Sequence, residues 1–258
     1  MKNTALITGA SSGIGLEFAR IHASHGGDLI LVARRKDELE KLKAELQAQY
    51  KVDVLVIAKD LSETNAAETL YQEVKSKQIE IECLINNAGY GGHGKFIERD
   101  WEKDKAMINV NVMALVTLTR LFLPEMVERN RGRVLNVGSV GGFLPGPLQS
   151  VYYATKGFVL SFSQALANEL KGSHVTVTVL CPGATRTGFA QTANMEDVPG
   201  FHLIEADAPD VARFGYDAML QGKTTAIHGF TNKFFTVILR FIPRVGIRML
   251  SRMVVEKY

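Results

Sequence analysis

Short runs of consecutive apolar residues alternate with longer stretches in which apolar positions recur every three or four residues, along nearly the whole chain. The runs fall near residues 3–8, 28–33, 53–58, 82–86, 132–138, 174–180 and 224–228. They are too continuous for strands with one wet face and read as strands buried on both. Helical periodicity fills roughly 13–26, 36–50, 64–78, 101–127, 151–171 and 208–221, with a further helix after 231. Strands separated by helices predict βαβ units with right-handed crossovers. The expected fold is therefore α/β: a doubly wound parallel sheet of about seven strands with helices on both faces. Ligands of such sheets bind beyond the carboxyl ends of the strands, so chemistry is expected in the loops that follow each apolar run.

Composition keeps that picture and narrows the function classes. At 258 residues, with 46% apolar and 22% charged residues, the chain is an ordinary globule able to bury one large core. The first strand starts by about residue 3, so no signal or transit segment is expected. No apolar run is read as reaching the ~20 residues that span a bilayer, and the expected location is cytoplasmic. Cys83 and Cys181 sit in apolar runs and read as buried thiols, and no spacing of histidines with cysteines signals a metal. The net charge of +3 hides an asymmetry. From Phe230 to Tyr258 six Lys/Arg oppose one acid, Glu256, so that tail carries +5 and the rest −2. Positive charge confined to one terminal segment does not describe a nucleic-acid-binding face.

Two local patterns carry chemistry. Thr8-Gly9-Ala10-Ser11-Ser12-Gly13-Ile14-Gly15 follows the first apolar run directly and opens an amphipathic stretch. Strand, glycine-rich turn and helix in that order bring backbone amides to a pyrophosphate at a helix N-terminus. The spacing is Gly-x-x-x-Gly-x-Gly, not Gly-x-Gly-x-x-Gly. In the second pattern, Tyr152 and Lys156 lie four residues apart on one helix face. A cation so placed favours phenolate and is expected to lower the tyrosine pKa from ~10. Such a phenol exchanges a proton with a carbonyl or alcohol oxygen. Ser139, thirteen residues before Tyr152 at the end of Val134-Leu135-Asn136-Val137, is placed to face the same oxygen. Tyr153, three residues before Lys156, competes for the role.

Together with Asn86-Asn87-Ala88-Gly89, Asn111 and Pro182-Gly183, these motifs resemble the short-chain dehydrogenase/reductase family, in order and at its spacing, from about residue 3 to 190. The resemblance implies a single Rossmann-like, dinucleotide-binding catalytic domain over 1–258. The implied activity is NADP(H)-dependent hydride transfer that interconverts a carbonyl and an alcohol, with Tyr152 as general acid/base. It implies catalytic roles for Asn111, Ser139, Tyr152 and Lys156, and its Tyr-x-x-x-Lys spacing selects Tyr152 over Tyr153. Asn111 would kink the long helix over 101–127 and anchor a water relay to Lys156, with Asn109 the nearby alternative. Implied cofactor contacts are Gly9, Ser11, Ser12, Gly13, Ile14 and Gly15 at the pyrophosphate, and Asp60 with Leu61 at the adenine. Asn87, Ala88 and Gly89 would lie beside the adenine ribose, and Tyr152 and Lys156 at the nicotinamide ribose. Pro182, Gly183, Thr185 and Thr187 would meet the carboxamide. Ser62 is the better capping candidate for the helix after Asp60. The alternative is an NADP(H)-binding redox-sensing regulator without significant turnover, although such proteins usually lose one of the four catalytic residues.

The loop after the second strand discriminates between cofactors. Arg34-Arg35-Lys36 stands where an NAD enzyme usually carries a carboxylate, and Ala33 ends the strand. Arg34 and Arg35 suit a 2′-phosphate, so NADP(H) is expected. The expected substrate is a lipophilic carbonyl or alcohol. Residues 188–208, with Met195, Val198, Pro199 and Phe201, match the family's variable substrate loop, and Phe143, Leu144, Pro145 and Leu148 are expected to line the same pocket. In the resembling family the helices over 101–127 and 151–171 form a two-fold interface. Their stripes of Leu115, Leu118, Leu121 and Phe122, and of Phe158, Phe162 and Leu166, are expected to be at least half buried against the sheet, and the remainder predicts a homodimer or homotetramer. The tail from 230 to 258 is apolar, with Arg240, Arg244, Arg248 and Arg252 at intervals of four. It reads as a segment that makes peripheral contact with an anionic membrane, covers the substrate opening, or docks on the protein's own body.

Overall fold

A computed structural model of the chain describes residues 3–193, 205–239, 241–242 and 246–247. Six strands, β1 (Thr4–Thr8), β2 (Asp28–Ala33), β3 (Val54–Ala58), β4 (Cys83–Asn86), β5 (Gly132–Val137) and β6 (Val175–Cys181), join a late strand, β9 (Thr225–Ile227). They form one parallel sheet in the order β3-β2-β1-β4-β5-β6-β9. The chain winds outward from β1 to β3, then returns to build β4 on the other side of β1. That reversal opens a crevice at the carboxyl edge between β1 and β4.

Burial on both faces explains the continuous apolar runs. Along β1, Ala5 and Ile7 enter one core cluster while Leu6 enters the other. The first cluster packs α1 (Gly13–Ser24), α2 (Lys36–Tyr50) and α8 (Ala208–Leu220) through Phe18, Leu39, Leu46 and Val211. The second packs α3 (Ala66–Ser76) and α5 (Leu115–Glu128) through Leu70, Leu118, Phe122 and Met126. A smaller one seats α6 (Ser150–Glu169) through Val159 and Leu160. Tyr216 of α8 donates its hydroxyl to Nδ1 of the fully buried His22 (2.8 Å), whose Nε2 faces the Asn3 carbonyl at 2.9 Å. Facing a carbonyl, Nε2 carries a proton, and in the neutral ring Nδ1 is left to accept from the tyrosine. Burial lowers its pKa.

The structure refines several expectations. The helix over 101–127 is three pieces: α4 (Trp101–Ile108), a π-helical turn over Asn109–Ala114, and α5. Trp101–Glu128 is, by length and composition, long and apolar enough to cross a membrane, contrary to the sequence reading. Here it packs on the sheet, with Met107, Leu118, Phe122 and Met126 buried. Ser62 does not cap α3; Asn65 holds that position at φ +60°, and Ser62 instead donates its amide (2.9 Å) and hydroxyl (2.7 Å) to the Asp60 carboxylate. Of the two stripes, Leu115, Leu118 and Phe122 are buried in the chain's own core, in keeping with the expected burial of at least half of each, while Phe158 stays exposed, as does Met113 outside them. A second, two-stranded parallel sheet joins β7 (Thr185–Arg186) to β8 (Ala206–Asp207) and was not expected. Two-residue strands carry no periodicity to read. Both cysteines are free and buried.

Candidate active site

A cleft of about 890 Å³ follows the carboxyl edge of the sheet across the β1–β4 crevice. All the catalytic and cofactor-binding residues singled out from sequence line it, except Gly15 and Asn111. At one end lies the turn between β1 and α1. Gly9 (φ +67°) and Gly13 (φ +57°) hold left-handed conformations that favour glycine. Asn87 locks this turn to the end of β4, its Nδ2 donating to the Thr8 carbonyl at 2.9 Å. The Thr8 hydroxyl oxygen accepts from the Asn87 and Ala88 amides, both at 3.0 Å. A Cβ on Gly15 would come 2.3 Å from the Gly9 carbonyl oxygen and 2.4 Å from Asn87 Nδ2. Gly15 is thus needed for closeness of packing, not for a direct ligand contact. No side chain caps α1 and no acid occupies its first turn, so its N-terminal amides and positive dipole end face the cleft.

Beside this turn Arg34, Arg35, Lys59, Asp60 and Leu61 line the wall. Arg35 donates to the Ser11 carbonyl (3.3 Å) and hydroxyl (3.1 Å), and Arg34 approaches Asp60 at 3.9 Å. These contacts hold two guanidinium groups at the end of β2. Lys59, which the sequence analysis did not single out, donates to Thr69 Oγ1 at 3.0 Å.

At the other end the polar groups converge. Ser139 ends the loop after β5, and its Oγ accepts from the Gly141 amide at 3.0 Å as a 3₁₀ turn over Val140–Phe143 begins. Tyr152 lies on the first turn of α6. Lys156 is buried one turn later, its Nζ donating to the Val137 carbonyl at 2.8 Å and lying 5.9 Å from the Tyr152 ring centroid. Burial lowers the Lys156 pKa to about 8. Burial also pushes the Tyr152 phenol above its ordinary value, with a hydrogen bond from Ser139 pulling the other way. The expected depression of Tyr152 by Lys156 is therefore not found in this arrangement. Desolvation is the main cause, and the Lys156 ammonium gives its hydrogen bond to a backbone carbonyl rather than to the phenol.

Asn111 sits inside the π-helical turn and is 1% exposed. Its Oδ1 accepts from the Tyr90 amide (3.1 Å), and its Nδ2 donates to the Tyr90 carbonyl (3.0 Å) and to Thr155 Oγ1 (3.1 Å). The extra residue in the turn places this amide between the loop after β4 and α6, as π-turns at functional sites commonly do. Asn109 bonds elsewhere, to the Ser62 carbonyl at 3.1 Å. Asn111 is thus the asparagine tied to the site.

The substrate side differs from expectation. Phe143, Leu144, Pro145 and Leu148 do not line the cleft, and Phe143 packs against Val159 and Leu160 instead. Tyr90, Gln149, Tyr153, Phe189 and Asn232 line it. Phe189, on the short helix α7 (Phe189–Thr192), lies 5.2 Å from the Tyr152 ring between centroids. Asn232 comes from α9 (Phe230–Ile238), where no motif marks it, and lies close against Gly183. Met195, Val198, Pro199 and Phe201 fall outside the described residues, as do Arg240, Arg244, Arg248 and Arg252.

Comparison with known proteins agrees with this geometry. Very-long-chain 3-oxoacyl-CoA reductase from Homo sapiens is 37% identical over 193 residues, 72% of this chain and 61% of that protein. The Rattus norvegicus protein of the same name is 33% identical over 250 residues, covering 92% and 76% of the two chains. The chain thus spans about three-fifths of the human relative's length. Among solved structures, one from a study of 7beta-hydroxysteroid dehydrogenase superposes with a TM-score of 0.87 at 27% identity, covering 96% of each chain. A short-chain dehydrogenase from Sphingobium yanoikuyae in complex with NADPH gives 0.82 at 31% identity, covering 94% of this chain and 97% of that one. Residues 3–197 match the short chain dehydrogenase family model, and on that match, the sheet order and the cleft, the chain belongs to the short-chain dehydrogenase family.

Proposed function

We propose that this chain is an NADP(H)-dependent oxidoreductase that interconverts a lipophilic carbonyl and its alcohol. The observation that carries the proposal is one cleft with an ungated helix N-terminus and two arginines at one end and Ser139, Tyr152 and Lys156 at the other. The residues fit a dinucleotide: the left-handed glycines leave the turn free of side chains, and Gly13 already sits so close to Thr187 that a Cβ would meet it at 2.9 Å. Gly9, Ser11, Ser12, Gly13 and Ile14 would hold the pyrophosphate and Arg34 with Arg35 the 2′-phosphate. Asp60, Leu61, Asn87, Ala88 and Gly89 would flank the adenosine, and Pro182, Gly183, Thr185 and Thr187 the carboxamide. When bound, the nicotinamide supplies or accepts the hydride.

The chain's own residues handle the proton. The Ser139 hydroxyl hydrogen-bonds the substrate oxygen and orients it, and Tyr152 Oη gives that oxygen a proton during reduction. A phenol held above its ordinary pKa is fully protonated at neutral pH, which suits it as a donor. Lys156, protonated below about pH 8, stabilises the phenolate that remains and would hold the nicotinamide ribose hydroxyls. Asn111 positions rather than reacts, by fixing Tyr90 beside Gly89 and Thr155 beside Lys156. All four residues of the expected tetrad are present and clustered, which does not favour the regulatory alternative.

The names of the relatives and the apolar walls from Val140, Tyr153 and Phe189 support a long-chain 3-oxoacyl thioester or a similarly lipophilic ketone as substrate. We also propose a homodimer or homotetramer through α4–α6, since Met113 and Phe158 remain exposed there. Light scattering that finds a monomer at micromolar concentration overturns that part. For the activity, NADPH oxidation is followed against a panel of ketones, aldehydes and 3-oxoacyl thioesters. Tyr152→Phe should abolish turnover and leave NADPH affinity nearly unchanged, whereas Tyr153→Phe should keep turnover. Arg34→Ala with Arg35→Ala should weaken NADPH but not NADH. Two exposed charge-assisted contacts at ~1 kcal/mol each predict roughly a thirtyfold loss. Equal native affinities for NADPH and NADH refute the cofactor assignment.

A further inference from the structure

We propose that α9 is an interfacial helix that docks this enzyme on an anionic phospholipid bilayer, with the rim of the cleft against the lipid. The helix has two unlike sides. At 100° per residue, Phe230, Phe234, Val237 and Ile238 fall within an arc of about 100°. They are 83%, 58%, 47% and 36% exposed, and Phe241, just past the helix, is 81% exposed. On the opposite side Thr236 and Leu239 are buried, and Asn232 lines the cleft beside Gly183. That inner side packs on the Val140–Phe143 turn, which Ser139 begins. The outward apolar stripe and the candidate active site are thus two sides of one helix.

Three aromatic rings held in water demand a cover, and charge selects which one. Lys233 is exposed on the flank of the stripe, where a lysine stem lies along apolar surface with its ammonium in the headgroup layer. The segment from Phe230 to Tyr258 carries six Lys/Arg against Glu256 alone, a net +5. Two copies of this chain meeting stripe to stripe would bring the Lys233 ammonium groups together, like charge against like, in segments that each carry a net positive charge. An anionic bilayer offers the opposite sign together with an acyl layer for Phe230, Phe234 and Phe241. Exposed aromatics flanked by Lys/Arg are the composition of helices that lie in the membrane interface. A further consequence rests on the lipophilic substrate proposed above: a substrate dissolved in the bilayer would reach the cleft along α9 without crossing water.

The test is co-sedimentation of the full chain with vesicles of equal phosphatidylcholine and phosphatidylglycerol, and with phosphatidylcholine alone. Binding should occur with the anionic vesicles at about 50 mM NaCl and fall severalfold at about 500 mM, where the screening length shrinks. The double variant Phe230→Ser with Phe234→Ser should lose sedimentation by roughly tenfold or more and keep native NADPH affinity. If that variant loses NADPH binding through misfolding, Lys233→Glu supplies the same test through charge. It should weaken binding to the anionic vesicles only. Absence of sedimentation at low salt overturns the proposal, as does sedimentation that the variants leave unchanged. Light scattering in which the serine variants convert a native oligomer to monomer, with vesicle binding unaltered, assigns the stripe to a second copy instead. None of these readouts uses turnover, so the docking and the reductase assignment stand or fall separately.

Discussion

Replacing Asn111 by alanine separates a positioning role from a chemical one. Its side chain closes three hydrogen bonds, to the Tyr90 amide, the Tyr90 carbonyl and Thr155 Oγ1, all between 3.0 and 3.1 Å. Thr155 keeps a partner in the variant, since its hydroxyl also donates to the Tyr152 carbonyl at 2.7 Å. Tyr90 loses the partner of both its backbone groups. Leaving a buried donor or acceptor unmade costs ~1–3 kcal/mol, and Tyr90 is only partly buried, so the pair should cost about 2–4 kcal/mol. For a chain of this size that is a fall of roughly 5–15 °C in melting temperature. The loss should reach the cofactor as well, because Gly89 adjoins Tyr90 and a Cβ there would stand 3.0 Å from Asn111 Oδ1 and 3.4 Å from Lys156 Nζ. Thermal unfolding, NADPH titration and single-turnover reduction, measured on one preparation, should therefore decline together. Asn111→Asp retains the acceptor for the Tyr90 amide but sets an oxygen against the Tyr90 carbonyl, and should be no better than alanine. A variant that melts within about 1 °C of the native protein yet turns over poorly would show that Asn111 acts in the reaction and not by anchoring the loop.

Lys156 should make NADPH binding to the free enzyme pH-dependent. Its pKa lies near 8, so affinity should decline as pH rises from 7 to 9, and Lys156→Met should bind weakly with no such slope. His22 should make stability fall in acid. Its folded pKa lies below the unfolded value near 6.5, so the unfolded chain binds the proton more readily. The stabilisation is complete above pH 6.5 and is lost as pH falls toward the folded pKa; melting temperature should drop over that window, and less steeply in His22→Asn. Gly15→Ala forces a methyl to within 2.3 Å of the Gly9 carbonyl oxygen, a backbone atom that cannot swing aside. It should cost at least ~1–3 kcal/mol and weaken NADPH by reshaping the turn, and native affinity in that variant contradicts the packing argument.

The sheet was legible because strands buried on both faces must be apolar throughout, and all seven runs became strands with ends shifted by a residue or two. Motif residues were legible where chemistry fixes their spacing, as with Tyr152 and Lys156 on successive turns of α6. What the sequence hid was set by long-range contacts. The π-turn at Asn111 arises from a loop 21 residues upstream, and helical periodicity survives one inserted residue almost unchanged. Phe143 and Leu148 look like pocket residues by position, but the 3₁₀ turn after Ser139 directs Phe143 toward α6. Asn232 had no pattern to betray it. It reaches the cleft only because β9 returns the chain to the sheet edge. Electrostatics escaped for a related reason: the spacing of Tyr152 and Lys156 is readable, but the dryness that raises one pKa and lowers the other is a property of the packed site.

The pairing of β7 with β8 bears on how such an enzyme changes its diet. Thr185 and Arg186 pair with Ala206 and Asp207, and Arg186 Nε donates to Asp207 Oδ1 at 2.9 Å. The twenty residues between Arg186 and Asp207 therefore leave and rejoin the scaffold at one clasp. Between flexible chain ends that are pinned together, added length costs little, about 0.6 kcal/mol for each doubling. Insertions between Arg186 and Asp207 are therefore expected to leave Thr187 and the glycine turn beside it in place, which melting temperature and NADPH affinity of an insertion variant would check. On the proposed function, the clasp would let substrate choice drift in evolution, or be grafted in the laboratory, while the residues proposed to hold the cofactor stay unchanged.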